Sequence, residues 1–393
     1  MDYKRTTKRM KKILIVYPHM AIGGSTTSLL SILNLIDYKN YGVDLLLGEN
    51  RGELISSIPD SVNILEQAMP NPGVLKVLKM TSFRYIRARI KTRGKSTNIK
   101  NQYMTFENAR FSRKIHKTYD VAIAFLETYA CDYVATKVNA KKKIFWLHLD
   151  YIGAGFDSGF DRPIYRVFDR IVLVSQLCKS NFDSVFPEYK DKTIVIENIL
   201  SQKYVRKRAT EKCDLSIDPT KVNLISVCRI DFKHKGLDRG VIALAELRDK
   251  GIENFHWYIM GDGDDREQLS KMIKDNLLDD KVTILGMQIN PAKYTVKMDA
   301  LFMPSRYEGK PMAVTEAQML SVPAIVTRYG SAEEQIVNEK TGFIFNNDQE
   351  DLNNGLEYIL KHKEMLIKCK TQLRTMDFTN IEEMEKINEC IEI

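Results

Sequence analysis

Two glutamates eight residues apart could together hold a ligand rich in hydroxyl groups. Glu308 lies in a loop after the predicted strand 300–304, and Glu316 lies about one and a half turns into the next predicted helix. Gly309 permits close approach of a ligand to the backbone, and Pro311 presets the first helical turn. Because carboxylates and the free N–H groups of a helix start bind hydroxyls and anions, this segment predicts a polyol site.

Further motifs stand around this pair in order along the chain. They are Val227-Cys-Arg229-Ile-Asp-Phe-Lys-His-Lys235-Gly236, Met260-Gly-Asp-Gly263, Leu285-Gly286 with Asn290-Pro291, Ser321-Val-Pro-Ala-Ile-Val and Glu339-Lys-Thr-Gly-Phe-Ile. With the strand that ends in Pro-Ser-Arg-Tyr before Glu308, they closely resemble the C-terminal domain of family-four retaining glycosyltransferases of GT-B architecture. The match covers nearly all of residues 221–346. The resemblance points to the members of this family that build bacterial capsules, exopolysaccharides or teichoic-type polymers.

The resemblance implies roles around the bond that would break. Glu308 would contact the hydroxyls of the donor sugar and Glu316 the ribose, while Arg229 and Lys235 would clamp the diphosphate. Fixed cations there would act on the barrier itself, because negative charge grows on the departing diphosphate. The remaining donor-binding positions of this domain would be Gly263, Gly309, Lys310 and Pro311. The alternative for each charged residue is an ordinary surface ion pair.

The N-terminal part carries less specific signals. Gly23 and Gly24 follow the predicted strand 13–17 and open a helix, where a phosphate could rest, and the resemblance places them at the donor diphosphate. Neither G-x-x-x-x-G-K-[ST] nor G-x-G-x-x-G is present, which argues against ATPase and dinucleotide-binding functions. His148 closes the predicted strand 143–148, and the resemblance makes it a catalytic residue near the donor sugar. A hydrogen-bonded structural histidine is the alternative.

One acidic motif could be mistaken for a metal site. Asp262, Asp264 and Asp265 contain the Asp-x-Asp spacing by which another glycosyltransferase architecture holds a divalent metal. Turn formation and helix capping explain these residues without a metal. We expect no metal and no cofactor, because the cations of Arg229 and Lys235 already neutralise the phosphates and the nucleotide sugar is a substrate.

The length of 393 residues suits two ordinary domains or one large one, and a composition of 44% hydrophobic and 28% charged residues is that of a globular protein. No apolar run reaches the length needed to span a bilayer, and the run 13–17 is too short for an export signal. The six cysteines are scattered, which favours a reducing compartment and argues against structural zinc. We therefore expect a cytoplasmic location.

Short apolar strands alternate with amphipathic helices along the whole chain, and this alternation is typical of parallel sheets covered on both faces. It predicts an α/β protein with two doubly wound Rossmann-like domains, which in GT-B architecture face a central cleft. We expect an acceptor-binding domain at 1–205, a nucleotide-sugar-binding domain at 206–375, and a final helix at 376–393 that packs back toward the first domain. The polar, strand-poor stretch 201–220 is interpreted as a linker.

A local excess of positive charge distinguishes the stretch from Arg84 to Lys117, which has eleven basic residues and one acidic residue in a chain of net charge +8. Aromatic and aliphatic side chains lie between the bases, as suits anionic lipid head groups. A solvated helix face is the main alternative, and we expect no nucleic acid because no recognition motif accompanies the charge. The residues expected to contact acceptor or membrane are Arg84, Arg87, Arg89, Lys91 and Arg93.

The function that these patterns and the resemblance imply is transfer of a hexosyl group, with retention, from a UDP-sugar to an acceptor hydroxyl. The acceptor would be a lipid-linked oligosaccharide of cell-surface polysaccharide synthesis, at the inner face of the cell membrane. Retaining hydrolases use two carboxylates about 5 Å apart, whereas here Glu308 is assigned to hydroxyl binding. The alternatives are a non-catalytic scaffold or acceptor-binding subunit of a polymer-synthesis complex, and a sugar-nucleotide epimerase or hydrolase.

Overall fold

The computed structural model describes residues 9–392, which divide into two compact units. Unit 1 holds the described residues up to Ile199 together with those from Glu382 onward, and unit 2 runs from Leu200 to Ile381. The sequence-based boundary at 205/206 differs from this division, because it cuts through the helix Gln202–Ala209. The C-terminal segment 376–393 is also divided, since its described part joins unit 1 only from Glu382.

Unit 1 is built on a parallel sheet of seven strands in the order β3-β2-β1-β4-β5-β6-β7. The strands are β1 (Lys11–Tyr17), β2 (Tyr41–Leu47), β3 (Asn63–Ile64), β4 (Thr118–Ala124), β5 (Asn139–Leu147), β6 (Arg170–Leu173) and β7 (Thr193–Val195). Ile13 pairs with Val43 on one side and with Val121 on the other. The carboxyl-terminal parts of the interior strands are apolar and buried, as in 13–17 of β1 and 144–147 of β5, because helices cover both faces of the sheet.

The helices of unit 1 follow the strands in alternation, with two short 3-10 turns at Ile55–Ser57 and Pro187–Lys192. They are α1 (Gly24–Leu35), α2 (Pro72–Thr81), α3 (Phe83–Lys91), α4 (Thr97–Phe111), α5 (Tyr129–Lys137), α6 (Tyr151–Ala154), α7 (Ser158–Tyr165) and α8 (Gln176–Val185), with α18 (Glu383–Glu392) at the end of the chain. The last helix buries Ile387, Cys390 and Ile391 in the core of this unit.

Unit 2 is a second parallel sheet, of six strands, in the order β10-β9-β8-β11-β12-β13. The strands are β8 (Val222–Val227), β9 (Phe255–Met260), β10 (Val282–Gly286), β11 (Ala300–Met303), β12 (Ala324–Thr327) and β13 (Gly342–Phe345). The helices are α9 (Gln202–Ala209), α10 (Phe232–Lys235), α11 (Leu237–Asp249), α12 (Arg266–Asp275), α13 (Ala292–Thr295), α14 (Met312–Met319), α15 (Ala332–Gln335), α16 (Gln349–Lys361) and α17 (Glu364–Arg374).

The polar stretch 201–220 is not only a linker, because its first part forms the helix α9. Val205 is buried in the core of unit 2, and the Arg206 Nε donates a hydrogen bond to the Met319 carbonyl oxygen at 2.9 Å. These tertiary contacts stabilise a helix whose polar sequence does not predict it.

Each sheet reverses its strand order at one point, and the prediction of two doubly wound α/β domains is confirmed. In unit 1 the reversal lies between β1 and β4, and in unit 2 it lies between β8 and β11. The loops after such a pair of strands leave in opposite directions, so a crevice opens beyond their carboxyl ends. The candidate site residues are therefore sought in those loops.

Candidate functional site

Lys235 and Glu308 meet at the point in unit 2 where the strand order reverses. Lys235 lies in the segment after β8 and Glu308 in the loop after β11. The Lys235 Nζ donates hydrogen bonds to Glu308 Oε1 at 2.8 Å and to Oε2 at 2.7 Å, and the Ser305 Oγ donates to Oε1 at 2.7 Å. The Glu308 side chain is only 7% exposed. The structure thus joins two residues that are 73 positions apart in the sequence.

The electrostatics of this pair keep the lysine charged. Burial alone would lower the pKa of Lys235, but the Glu308 carboxylate outweighs burial and the pKa is raised. An ammonium group that stays protonated at a loop edge suits a phosphate ligand. A hydroxyl-rich ligand would compete with the lysine for the same carboxylate oxygens.

Arg306, which was given no role from the sequence, fixes the loop that carries Glu308. Its Nη1 and Nη2 donate hydrogen bonds to Asp238 Oδ1 and Oδ2, both at 2.8 Å, and its backbone N–H donates to the His234 carbonyl oxygen at 2.7 Å. The segment after β8 is equally constrained. A Cβ on Gly236, which has φ of 63°, would lie 2.1 Å from the Pro304 carbonyl oxygen.

Arg229 lies in the same segment as Lys235 but is far more exposed, with 66% of its side chain accessible. Its Nη2 donates to Asp231 Oδ2 at 3.0 Å, and the Asp231 Oδ1 also caps α10 by accepting from the His234 N–H. Burial alone would raise the pKa of Asp231, but His234 and Arg229 hold it below its usual value. The charge of Arg229 also works to lower the pKa of Lys235, so both cations act on one region of the loop.

Gly263 is explained by backbone packing within the domain. A Cβ at this position would lie 2.2 Å from the Ile230 carbonyl oxygen. The three aspartates around it are not all helix caps, since the Asp265 Oδ2 accepts from the Phe232 N–H at 2.7 Å and makes no capping bond to α12. Asp262 Oδ2 accepts from Arg266 Nη1 at 3.1 Å. Asp265 therefore ties the loop after β9 to the segment after β8, whereas Asp262 pairs with the first residue of α12.

The helix α14 begins one residue later than the sequence indicates. Pro311 is its N-cap with an extended ψ of 119°, so the first helical residue is Met312 and Pro311 does not lie in the first turn. Glu316 consequently stands just over one turn into the helix. Burial raises the pKa of Glu316 to about 7, although the positive charge of Arg208 opposes the shift. Gly309 and Lys310 lie half-buried in the loop between Glu308 and this helix.

In unit 1, the loop after β1 carries Gly23 and Gly24 at the start of α1. Gly23 is the N-cap, with an extended φ of 172°, and a Cβ there would meet no atom within 4 Å. The Tyr17 hydroxyl is hydrogen-bonded to Ser25 Oγ at 2.7 Å and to Thr26 Oγ1 at 3.0 Å. The fold itself therefore leaves open space beside Gly23, at the point where the strand order of this unit reverses.

His148 lies at the carboxyl end of β5 beside a glutamate that sequence reasoning missed. Glu127 follows β4, and its Oε2 accepts a hydrogen bond from the His148 N–H at 3.3 Å. Burial lowers the pKa of His148 to about 3, although the Asn198 side chain opposes the shift. Burial likewise raises the pKa of Glu127. The signal that could have identified Glu127 is its position shortly after the apolar strand β4. In the structure the next residue, Thr128, has φ of 59° and turns the chain sharply.

Asp150, two residues after His148, acts as a structural cap. Its Oδ1 accepts from the Ile152 N–H and its Oδ2 from the Gly153 N–H, both at 3.2 Å, at the start of α6. The Asn181 Nδ2 donates to the Asp150 Oδ1 at 2.9 Å.

The five bases predicted to contact acceptor or membrane lie on α3 and just after it, and all are exposed. Large apolar side chains of the same helix are exposed as well, Phe83 by 76% and Ile90 by 69%. Across the described residues, 9–392, no helix combines the length and apolar character required to cross a bilayer. The five residues are Arg84, Arg87, Arg89, Lys91 and Arg93.

Comparison with known proteins connects this geometry to one family. Residues 207–376 match the family model described as "Glycosyl transferases group 1". Over 199 residues the chain is 26% identical to an uncharacterized glycosyltransferase of Methanocaldococcus jannaschii, covering 48% of each protein. The chain spans about half the length of the first curated relatives it matches, 48% and 56%.

Two further proteins are similar over nearly the whole chain. One is the N-acetylgalactosamine-N,N'-diacetylbacillosaminyl-diphospho-undecaprenol 4-alpha-N-acetylgalactosaminyltransferase of Campylobacter jejuni, 22% identical over 95% of this chain and 97% of that protein. The other is HepE of Anabaena, solved in complex with UDP-glucose, with a TM-score of 0.66, 15% identity and coverage of 96% and 100%. The sequence-based identification of the fold as GT-B is confirmed, and the residues that match the group 1 glycosyltransferase model, 207–376, all lie in unit 2.

Proposed function

We propose that this chain, whose residues 207–376 form a group 1 glycosyltransferase domain, transfers a hexosyl group with retention from a UDP-sugar to an acceptor hydroxyl. The observation that carries the proposal is the Lys235–Glu308 pair at the reversal point of the second sheet. A cation and a carboxylate in contact are the two groups that a sugar diphosphate needs, one for the phosphate and one for the hydroxyls.

The proposed role of Lys235 is to stabilise the departing diphosphate. Its raised pKa keeps the ammonium charged, and negative charge grows on the leaving group as the sugar bond breaks. The exposed guanidinium of Arg229, in the same segment, would close on the phosphates from solvent. In this proposal these two cations supply the neutralisation that a divalent metal provides in other architectures, and no metal or cofactor takes part.

Glu308 and Glu316 would bind hydroxyls at the two ends of the donor. When the diphosphate draws Lys235 toward itself, the two Glu308 oxygens become acceptors for sugar hydroxyls. Glu316, whose pKa is about 7, would accept from the ribose in its ionised form. Gly309, Lys310 and Pro311 would line the donor between these glutamates, and Gly263, Gly23, Gly24 and His148 remain proposed donor contacts.

Retention follows from attack on the same face of the sugar as the leaving group. In the proposed step the bond from the anomeric carbon to the phosphate oxygen breaks while the bond to the acceptor oxygen forms. The acceptor proton passes to the departing phosphate oxygen, so no protein base is consumed. Glu308, held by Lys235 and Ser305, is committed to binding and is not a free nucleophile. His148, with a pKa of about 3, stays neutral and would offer hydrogen bonds without transferring a proton.

The proposed acceptor is a lipid-linked oligosaccharide of cell-surface polysaccharide synthesis, reached at the inner, cytoplasmic face of the membrane. The exposed bases and apolar side chains of α3 support this proposal, because they suit an anionic lipid surface. The name of the Campylobacter jejuni relative supports it too, since that protein acts on a diphospho-undecaprenol-linked saccharide.

The test is a thermal-shift series with UDP-, GDP-, ADP- and dTDP-sugars, because ligands of the folded state raise its stability. We expect the unfolding temperature to rise with UDP-sugars alone. The shift should be lost in Lys235→Ala and kept in Lys233→Ala, which removes an exposed lysine two positions away on the same helix. Equal shifts for all four nucleotides would refute the UDP preference. Equal shifts for both variants would refute the role of Lys235.

A further inference from the structure

A cavity of about 800 Å³ in unit 1 is not used by any step above. It lies between the loop after β2, residues 49–51, and the helices α2 and α3. The Met20 N–H donates to the Arg51 carbonyl oxygen at 2.9 Å, which joins this loop to the loop after β1. The cavity therefore borders the carboxyl ends of the parallel strands, the edge at which α/β sheets bind ligands.

The cavity is lined by an excess of positive charge. Its basic residues are Arg51, Lys76, Lys79 and Arg89, and its one carboxylate, Glu49, is already paired with Arg51. In the part of the chain that the structure describes, no carboxylate lies within ion-pair distance of Lys76, Lys79 or Arg89. Three uncompensated cations around one cavity favour a ligand with several negative charges, such as a diphosphate.

An exposed apolar face continues from the cavity along α2 and α3. Met80 and Ile86 belong both to the cavity lining and to this face, on which the other members are Val74, Val77, Phe83 and Ile90. Only Ser82 separates the two helices. Six exposed apolar side chains on two successive helices are typical of a surface that contacts a partner or a membrane, and bases on the same helices point to a lipid with an anionic head. A soluble phosphate compound would account for the basic residues of the cavity but not for the exposed apolar side chains of α2 and α3.

We propose that this cavity binds the diphosphate of a lipid-linked acceptor and that the lipid chain runs along the apolar face of α2 and α3. The inference rests on the proposed function, because it gives a place to the acceptor named there. Lys76, Lys79 and Arg89 hold the two phosphates, and Met80 and Ile86 cover the first carbons of the chain. The saccharide then extends away from the membrane, toward the edge of the sheet where the loop after β1 lies.

The binding test uses the full-length protein and farnesyl diphosphate as a soluble probe, titrated by calorimetry with and without saturating UDP, so that any diphosphate site for the donor is blocked. The triple variant Lys76→Ala/Lys79→Ala/Arg89→Ala is expected to lose at least roughly tenfold in affinity. The matched control is Lys39→Ala/Arg166→Ala/Lys190→Ala, which removes the same charges from exposed positions of unit 1 that do not line the cavity. The control is expected to stay within about twofold of the parent. Equal losses in both triple variants, or none in the first, would overturn the proposal.

Two further probes separate lipid from phosphate. Inorganic pyrophosphate and farnesol are each expected to bind at least roughly tenfold more weakly than farnesyl diphosphate. Met80→Ser/Ile86→Ser is expected to weaken farnesyl diphosphate severalfold and to leave pyrophosphate unchanged. Pyrophosphate that binds as tightly as farnesyl diphosphate would overturn the lipid assignment.

Different experimental results would contradict the lipid site and the proposed transferase activity. If UDP-sugars neither bind nor turn over while the cavity variants lose farnesyl diphosphate, the transferase proposal fails and the lipid site stands. If UDP-sugars bind and both triple variants behave like the parent, the lipid site fails and the transferase proposal stands.

Discussion

Both carboxylate oxygens of Glu308 accept hydrogen bonds from the single ammonium group of Lys235, at 2.8 and 2.7 Å. The contact joins the segment after β8 to the loop after β11, and Arg306 holds that loop in place through Asp238. In the proposed function, a donor with phosphate and hydroxyl groups would separate this pair and would gain both partners.

The first prediction concerns turnover. Lys235→Ala and Glu308→Gln should each lower kcat/KM for the UDP-sugar by about 10²- to 10³-fold, the usual loss when one group that stabilises a developing charge is removed. The measurement is UDP release from the UDP-sugar that gives the largest thermal shift. Lys233→Ala, an exposed neighbour, should stay within about twofold of the parent. Near-normal rates in Lys235→Ala and Glu308→Gln, with folding intact, would remove this pair from the mechanism.

The second prediction concerns pH and Glu316. The pKa of Glu316 is about 7 in the folded protein and has its ordinary value of 4.5 in the unfolded chain. Its contribution to the free energy of unfolding is thus fully present below pH 4.5 and is lost as the pH rises through 7. Compared with Glu316→Gln, the parent should lose on the order of 2 kcal/mol between pH 5 and pH 8. Urea unfolding at the two pH values measures this.

The control for that experiment is Glu211→Gln, which changes an exposed carboxylate of unit 2 in the same way. Its free energy of unfolding should stay within about 0.5 kcal/mol of the parent at both pH values, because the side chain is exposed. If the free energies of unfolding of the parent and Glu316→Gln differ by the same amount at pH 5 and pH 8, the raised pKa of Glu316 is contradicted.

The third prediction concerns His148. Because burial lowers its pKa to about 3, the imidazole should remain neutral and its NMR signals should not titrate between pH 5 and pH 8. The spectrum of His148→Gln identifies the signals. The same variant should lower turnover without altering the shape of the pH profile, since a neutral group supplies hydrogen bonds and no proton. Signals that shift with a midpoint near 6.5 would contradict the buried, neutral state.

The fourth prediction compares two glycines that were assigned the same role from the sequence. Gly263→Ala should destabilise the protein by about 1 to 3 kcal/mol, because its Cβ would lie 2.2 Å from the Ile230 carbonyl oxygen. Gly23→Ala should leave stability nearly unchanged, because no atom lies within 4 Å and the backbone is extended. Thermal unfolding of both variants tests the contrast. Equal losses would show that the loop at Gly23 is packed more tightly than the structure has it.

The fold could be predicted from the sequence where burial on both faces leaves an uninterrupted apolar run, as in β1. The strand β3 was missed because it has only two residues, Asn63 and Ile64, both exposed at the edge of the sheet. The helix α9 was missed because it is held by packing of Val205 and a bond from Arg206, which no local pattern reveals.

The site was predictable only as far as motifs reach. Lys235 and Glu308 were each identified from a separate motif. Their contact arises because β8 pairs with β11 in the sheet, and the motifs do not reveal that pairing. Arg306 stands in the Pro-Ser-Arg-Tyr motif but received no role from it, and Glu127 belongs to no motif. Their importance follows from the loops that they occupy, next to His234 and His148, and those neighbours are set by the sheets.

The final helix, α18, has a consequence for how the protein is made. Ile387 and Cys390 complete the core of unit 1, and the Lys142 ammonium on β5 donates to the Cys390 carbonyl oxygen at 2.5 Å. Most of unit 1 is synthesised before unit 2, yet its core lacks Ile387, Cys390 and Ile391 until residues 383–392 have been translated. Unit 2, emerging in between, can close on its own residues earlier, so the half synthesised first is the half that finishes last.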